Sequence, residues 1–319
     1  MKLNLIAAAA LSVASLITVP AHASALAMAD MFIQNIRLVD AANNTIPSAG
    51  LITIVTESRT GNATSDFNGI LGTGVGPSSV TNNTVGGTAD VKYRCAGDCG
   101  AGTLALYAGG GGPENNGTTH IGPVPTRNYS LSDMVIDGST LAGTGRGLTR
   151  ANAMTNSPVN GGGANATILN SATIRASFTV GANLAAGVGL DADAFLRAWV
   201  NFPTLAGQFD LASAGYGFNL NIDDQLGNTL LDFRPNQLNN SFSATGTSVG
   251  AANKISQFTG SLFSGIVNFV GGQTYTLTIN QSSNATVQTT GDIPEPGSLA
   301  LVGLALLGIT AAARRRHLS

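Results

Sequence analysis

In several runs of the chain, apolar and polar residues alternate with a period of two, which places successive side chains on opposite faces of a strand. Tyr275, Leu277 and Ile279 fall on one face, with Thr274, Thr276 and Thr278 on the other. Asp191, Asp193, Phe195, Arg197 and Trp199 share one parity against Ala192, Ala194, Leu196, Ala198 and Val200. The smaller apolar set is predicted to face the core, which leaves the first set partly exposed. Strands are predicted at Met31–Val39, Leu51–Thr56, Ala166–Val180, Asp191–Val200, Gly217–Ile222, Asn228–Phe233, Phe258–Val270 and Gln273–Ile279. Turn signals separate them, at Gly181-Ala182-Asn183, Leu226-Gly227-Asn228 and Gly271-Gly272. Short turns without a recurring helical period predict an all-β fold: an antiparallel β-sandwich, jelly-roll-like, rather than a βαβ sheet.

Residues 61–163 interrupt this pattern. Glycine clusters at Gly109–Gly112, Gly143–Gly147 and Gly161–Gly163 alternate with strand-like pieces at Val91–Arg94, Thr103–Tyr107 and Tyr129–Ile136. So long a stretch of pure loop is improbable inside a domain. The stretch reads as short strands joined by long glycine-rich loops, inserted into an ectodomain of residues 26–292, or as a subdomain of its own.

Composition narrows the function classes. Charged residues make up 10% of the 319 positions, against about 25% in soluble globular proteins. Three lysines and three glutamates are too few for the solvent faces of long helices or a coiled coil. A net charge of −2 excludes a phosphate-neutralising surface, so nucleic acid is not an expected partner.

The two ends read as addresses. Lys2, the apolar run Leu3–Val19, Pro20 and the small-x-small pattern around Ala23 and Ala25 predict a secretory signal over residues 1–25. Cleavage is expected after Ala23 or Ala25. At the other end, residues 293–319 contain Pro294-Glu295-Pro296, an apolar run at 298–313, and Arg314-Arg315-Arg316. The run is shorter than the ~20 residues of a comfortable span. Arginines at its end hold it on the cytoplasmic side, so a short out–in transmembrane sorting helix is predicted.

In the order of these three elements, the tail resembles the PEP-CTERM sorting signal of Gram-negative bacteria. The resemblance covers about 25 residues and implies recognition by an exosortase, which removes the tail. It further implies a mature protein at the cell surface or in the extracellular matrix. Pro294, Glu295, Pro296, Arg314, Arg315 and Arg316 are then recognition residues of a substrate. Removing both ends takes four of the 15 basic residues and one of the 17 acidic ones, leaving a body of about −5.

Candidate chemistry in the body is sparse. Cys95 and Cys99, the only two cysteines, are expected to pair in an oxidising compartment. With both ends removed, His120 is the only histidine, which excludes a multi-histidine metal site. Gly246-Thr247-Ser248-Val249-Gly250 matches the nucleophile-elbow string, but no histidine follows it in the body. Asp191 and Asp193 project from one strand face and are candidates for a surface Ca²⁺ site. With Asp223 and Asp224 they would also be the acids of a polysaccharide hydrolase. Trp199, with Tyr216, is the candidate aromatic contact for a sugar ring. The expectation is a non-enzymatic, cofactor-free, exported protein with a structural or adhesive role in a biofilm or exopolysaccharide matrix. Its partners would be an exosortase, exopolysaccharide or matrix proteins, and the membrane before processing. A carbohydrate-binding module is the alternative, and a polysaccharide hydrolase a further one.

Overall fold

The structure is a computed structural model that describes residues 24–74, 77–101, 120, 127–156, 164–201, 210–246 and 252–289. The predicted signal segment up to residue 23, the piece Thr103–Tyr107, Ser248 and the whole sorting region lie outside the described residues.

The described chain is all-β. Its strands are β1 (Ser24–Val39), β2 (Ile52–Phe67), β3 (Ile70–Leu71), β4 (Thr73–Gly74), β5 (Ser79–Asn82), β6 (Ala89–Gly97), β7 (Tyr129–Asp137) and β8 (Arg146–Asn156). They continue with β9 (Ala164–Val180), β10 (Leu184–Val200), β11 (Asp210–Asp223), β12 (Thr229–Phe233), β13 (Asn240–Gly246), β14 (Ala252–Phe263), β15 (Val267–Phe269) and β16 (Thr274–Thr289). One eight-stranded sheet runs β14-β10-β1-β8-β7-β6-β4, with β15 also on β10. The second, also eight-stranded, runs β12-β11-β16-β9-β2-β3, with β13 on β11 and β5 on β2. All the paired strands are antiparallel.

The two sheets enclose one core, and alternation explains which side chains enter it. On β16, Tyr275, Leu277, Ile279, Ala285 and Val287 are buried; on β10, Ala192, Ala194, Leu196, Ala198 and Val200 are. Many inward positions are alanine, including Ala25, Ala27 and Ala29 on β1. On β1 the inward parity changes halfway: Met31 and Ile33 face the core, and so do Ile36 and Leu38. A bulge between Gln34 and Arg37 inserts the residue that shifts the phase. Asn35 takes it up with φ 55°, a left-handed conformation that asparagine tolerates better than most residues.

Most of the strands are longer than the alternation predicts, β12 being the exception, and the run Phe258–Val270 is two strands broken at Ser264–Ile266. β8 was not expected, because part of it belongs to the cluster Gly143–Gly147. It is buried on both faces, so its sequence does not alternate. β6, β7 and β8, all from the glycine-rich stretch, continue the first sheet directly from β1. Polar pairs cross the layers as well. Gln281 Nε2 donates to the Met31 carbonyl at 2.7 Å, and the Thr149 and Ser283 hydroxyls meet at 2.7 Å.

Registers define two poles. Ser24 pairs with Asn156, and Thr289 pairs with both Asp210 and Ala164. The contacts of Gln281 and Ser283 with Met31 and Thr149 align these ends between the sheets. The first and last strands therefore begin and end at one pole, the tail pole. Val39, Ile52, Asp137 and Asp223 lie toward the other, the far pole.

Candidate functional site

At the far pole, on the outer side of the first sheet, the bulge in β1 opens into a cleft of about 620 Å³. Asn35, Arg37 and Asp191 lie on one side; the loop segment Thr45–Ala49 and the turn Leu141–Gly143 form the rest. Asn35 Nδ2 donates to Asp191 Oδ2 at 2.8 Å, and Ser261 Oγ donates to Oδ1 at 2.7 Å. Arg37 Nη1 donates to the Asn35 carbonyl at 2.9 Å and to Asp191 Oδ1 at 3.2 Å. The guanidinium carbon stands 6.0 Å above the Phe263 ring centre. Partial burial pushes the Asp191 carboxyl up. Hydrogen bonds from Asn35 and Ser261 and the charge of Arg37 outweigh that and hold it below the usual carboxylate range. It stays ionised at neutral pH and is no proton donor there.

The opposite wall is strained. Leu141 has φ 60°, a conformation that is an outlier for a bulky residue, and its side chain is buried. Such a residue costs roughly 1–3 kcal/mol and persists only where its surroundings over-determine it. The bridge between Ala142 and Arg37 and the bond from Gly143 N to the Ile36 carbonyl pin it against β1. A second hollow, about 430 Å³, opens at the same pole among Leu226, Leu230, Val270 and Tyr275.

Two turns at this pole are built alike. Asp40 Oδ1 accepts from the Ala42 and Asn44 amides, and Oδ2 from Asn44 Nδ2. Asp224 does the same with Leu226, Asn228 and Asn228 Nδ2. The fourth residue is left-handed in both, Asn43 at φ 64° and Gly227 at φ 82°.

The predicted site residues do not converge. Asp191 and Asp193 lie on β10, whereas Asp223 and Asp224 stand at the end of β11 in the other sheet, both bonded across the same β11–β12 turn. A glycosidase needs two carboxyls facing one bond across about 5–10 Å; here the four acids are divided between the two sheets, two on β10 and two at the end of β11. The Ca²⁺ reading of Asp191 meets a physical objection: its oxygens accept from three donors, one of them a cation, where calcium requires six to eight oxygen ligands. Tyr216 is buried in the core, its hydroxyl donating to the Gln237 carbonyl at 3.3 Å, and is no surface platform. Trp199 is half-buried near the tail pole against a cluster of Leu26, Met28, Cys95, Tyr129, Leu131, Met154 and Phe195. Cys95 and Cys99 are joined beside it, with Cα atoms 5.8 Å apart.

The body's one histidine has a partner. His120 Nδ1 lies 3.0 Å from Asp30 Oδ2, and its ring stacks on Phe195 at 4.2 Å. Asp30 also accepts from Arg150 Nε at 3.3 Å, and both of those side chains are fully buried. This row braces the outer face of the first sheet. The cleft residues Asn35 and Arg37 escaped sequence reading, although the Gln34-Asn35 pair inside an Ile/Leu/Val run is the trace a bulge leaves.

The far-pole cleft is a concave polar site, and the class of the protein is given by its end. Residues 292–316 match the PEP-CTERM protein-sorting motif. The chain carries that motif, which implies export, processing by an exosortase and C-terminal sorting to the cell surface. No curated protein and no solved structure matches the chain. No helix among the described residues is long and apolar enough to cross a membrane, and the apolar run 298–313 lies outside them.

Proposed function

We propose that the chain is a non-enzymatic β-sandwich ectodomain. It is held briefly in the membrane by residues 298–313, released by an exosortase, and retained at the surface or in the extracellular matrix as a structural or adhesive component. The observation that carries this reading is the placement of both ends of the body at one pole, with the cleft at the other. A tail that leaves from Thr289 tethers the tail pole and turns Asn35, Arg37 and Asp191 away from the attachment. The uncharged Thr, Ser and Asn surface also favours contact with a hydrated matrix over charge-driven recognition.

Replacing Pro294, Glu295 and Pro296 by alanine in the producing cell is the direct test. The expected result is accumulation of unprocessed chain in the membrane fraction and its loss from the surface and matrix. Removal of the gene is expected to weaken cell–cell cohesion. Unchanged distribution of the triple variant, together with unchanged cohesion of the deletion strain, would sink the proposal.

A further inference from the structure

We infer that the far-pole cleft is a binding site for a neutral, hydroxyl-rich chain, that is, a polysaccharide segment. The inference deepens the surface role proposed above by giving it a ligand class.

Three properties of the cleft select that chemistry. Its charged groups cancel, since Arg37 is paired with Asp191 at 3.2 Å. A phosphate or other anion therefore meets a neutralised guanidinium, and a metal cation meets an arginine. Polar capacity is left over on adjacent atoms: Arg37 Nε and Nη2, Asn35 Oδ1 and one lone-pair direction of Asp191 Oδ2 have no other bond among the described residues. Planar donors and acceptors side by side match the neighbouring hydroxyls of a sugar ring, each of which both donates and accepts. The remaining wall sets the apolar Ile46, Pro47, Ala49 and Ala142 beside Thr45 and Ser48, and suits a ring with a C–H face and a hydroxylated edge.

A peptide strand is a poorer fit. Beyond Ile33, where pairing with β8 ends, β1 is held by β10 on one side and by the Ala142 bridge to Arg37 and the Gly143 bond to the Ile36 carbonyl on the other, so the cleft offers little free sheet edge for strand addition. The site is also pre-formed, because the bulge and the left-handed Leu141 fix both walls before any ligand arrives. Preorganisation of this kind lowers the ordering cost of binding.

The test uses the secreted protein, titrated calorimetrically with four polymers: a neutral glucan, a neutral mannan, a neutral galactan and an acidic uronan. Binding to at least one neutral polymer is expected. Asp191→Ala is expected to weaken it at least about tenfold, as loss of a charged hydrogen-bond partner does. Because Asp191→Ala also loosens β1 against β10, Ala49→Trp serves as a second variant that fills the exposed rim without touching the network. It is expected to weaken binding equally at unchanged melting temperature. Binding that survives Ala49→Trp, binding only to the uronan, or no binding to any neutral polymer would each overturn the inference. Correct surface sorting alongside absent binding would remove this inference and leave the sorting proposal standing.

Discussion

Glu57 and Arg59, two residues apart on β2, form an ion pair at 2.7 Å in which both side chains are fully buried. Glu57 accepts from the Thr140 amide at 3.0 Å, the Thr140 hydroxyl at 2.5 Å and the Gly86 amide at 2.8 Å. Arg59 donates to the Thr84 and Gly138 carbonyls at 2.7 and 2.5 Å. The pair therefore ties the second sheet to the β7–β8 turn, one residue from the strained Leu141 that walls the cleft.

Glu57→Gln is expected to destabilise the protein by about 3–5 kcal/mol, because it strands a buried guanidinium. Replacing both members, with Glu57→Leu and Arg59→Met, is expected to cost less than Glu57→Gln alone. Urea denaturation curves of the two variants check the order. The pair also sets an acid limit. Burial pushes the Glu57 carboxyl up, but bonds from Thr140, Gly86 and Arg59 outweigh that and hold it below its ordinary 4.5. Folding therefore favours the ionised form. The contribution is complete above 4.5 and is lost as pH falls through the lower folded value.

Asp210 carries the opposite sign. It is buried, neither carboxylate oxygen has a hydrogen-bond partner among the described residues, and burial pushes its carboxyl from 3.8 up to about 7. Below 3.8 the folded and unfolded chains both hold the proton and no cost arises. Between 3.8 and about 7 only the unfolded chain releases it, so stability falls by about 1.4 kcal/mol per pH unit. Above about 7 the cost is constant, in total roughly 4 kcal/mol. Asp210→Asn is expected to raise the melting temperature at about pH 8 and to leave it nearly unchanged at about pH 3.5. A lower melting temperature at the higher pH would contradict this account.

The twin turns make a paired prediction. Gly227→Ala forces a β-carbon into a left-handed position and is expected to cost about 1 kcal/mol or more. Asn43→Gly, at the equivalent position of the other turn, is expected to change stability by less than about 0.5 kcal/mol. Equal losses for both would show that the turns are not equivalent.

The start of β1 sharpens the expected processing site. Ser24 is buried, its hydroxyl donates to Asn156 Oδ1 at 3.0 Å, and its carbonyl accepts from the Asn201 amide at 2.8 Å. Cleavage after Ala23 keeps these bonds, whereas cleavage after Ala25 removes them. The mature protein is expected to begin at Ser24 and to lack Arg314–Ser319. N-terminal sequencing and intact mass read both ends, and a start at Leu26 would refute the first.

Much of the fold was legible where strands are half-buried. Tyr275–Ile279 and Asp191–Val200 alternate because one face meets the core and the other does not. β8 was illegible for the converse reason: Arg150 and Asn152 are buried on its outer face and Ala151 and Ala153 on its inner one. The cleft was illegible because its partners are remote. Asn35 and Asp191 stand 156 residues apart, and no local pattern announces a bond over that separation. The sorting motif, by contrast, is a linear signal and can be read without a fold.

The central position of β16 has a mechanical meaning. It is paired along its whole length with β9 and over most of it with β11, and the sorting tail follows it directly. Its hydrogen bonds run perpendicular to the strand. A pull on the tail, resisted at the far pole, acts along the strand axis and loads these bonds in shear. They share the load and must break together, whereas a pull from an edge strand would peel them one at a time. The strand best placed to transmit tension between an anchored cell and whatever the cleft holds is the one to which the tail is attached.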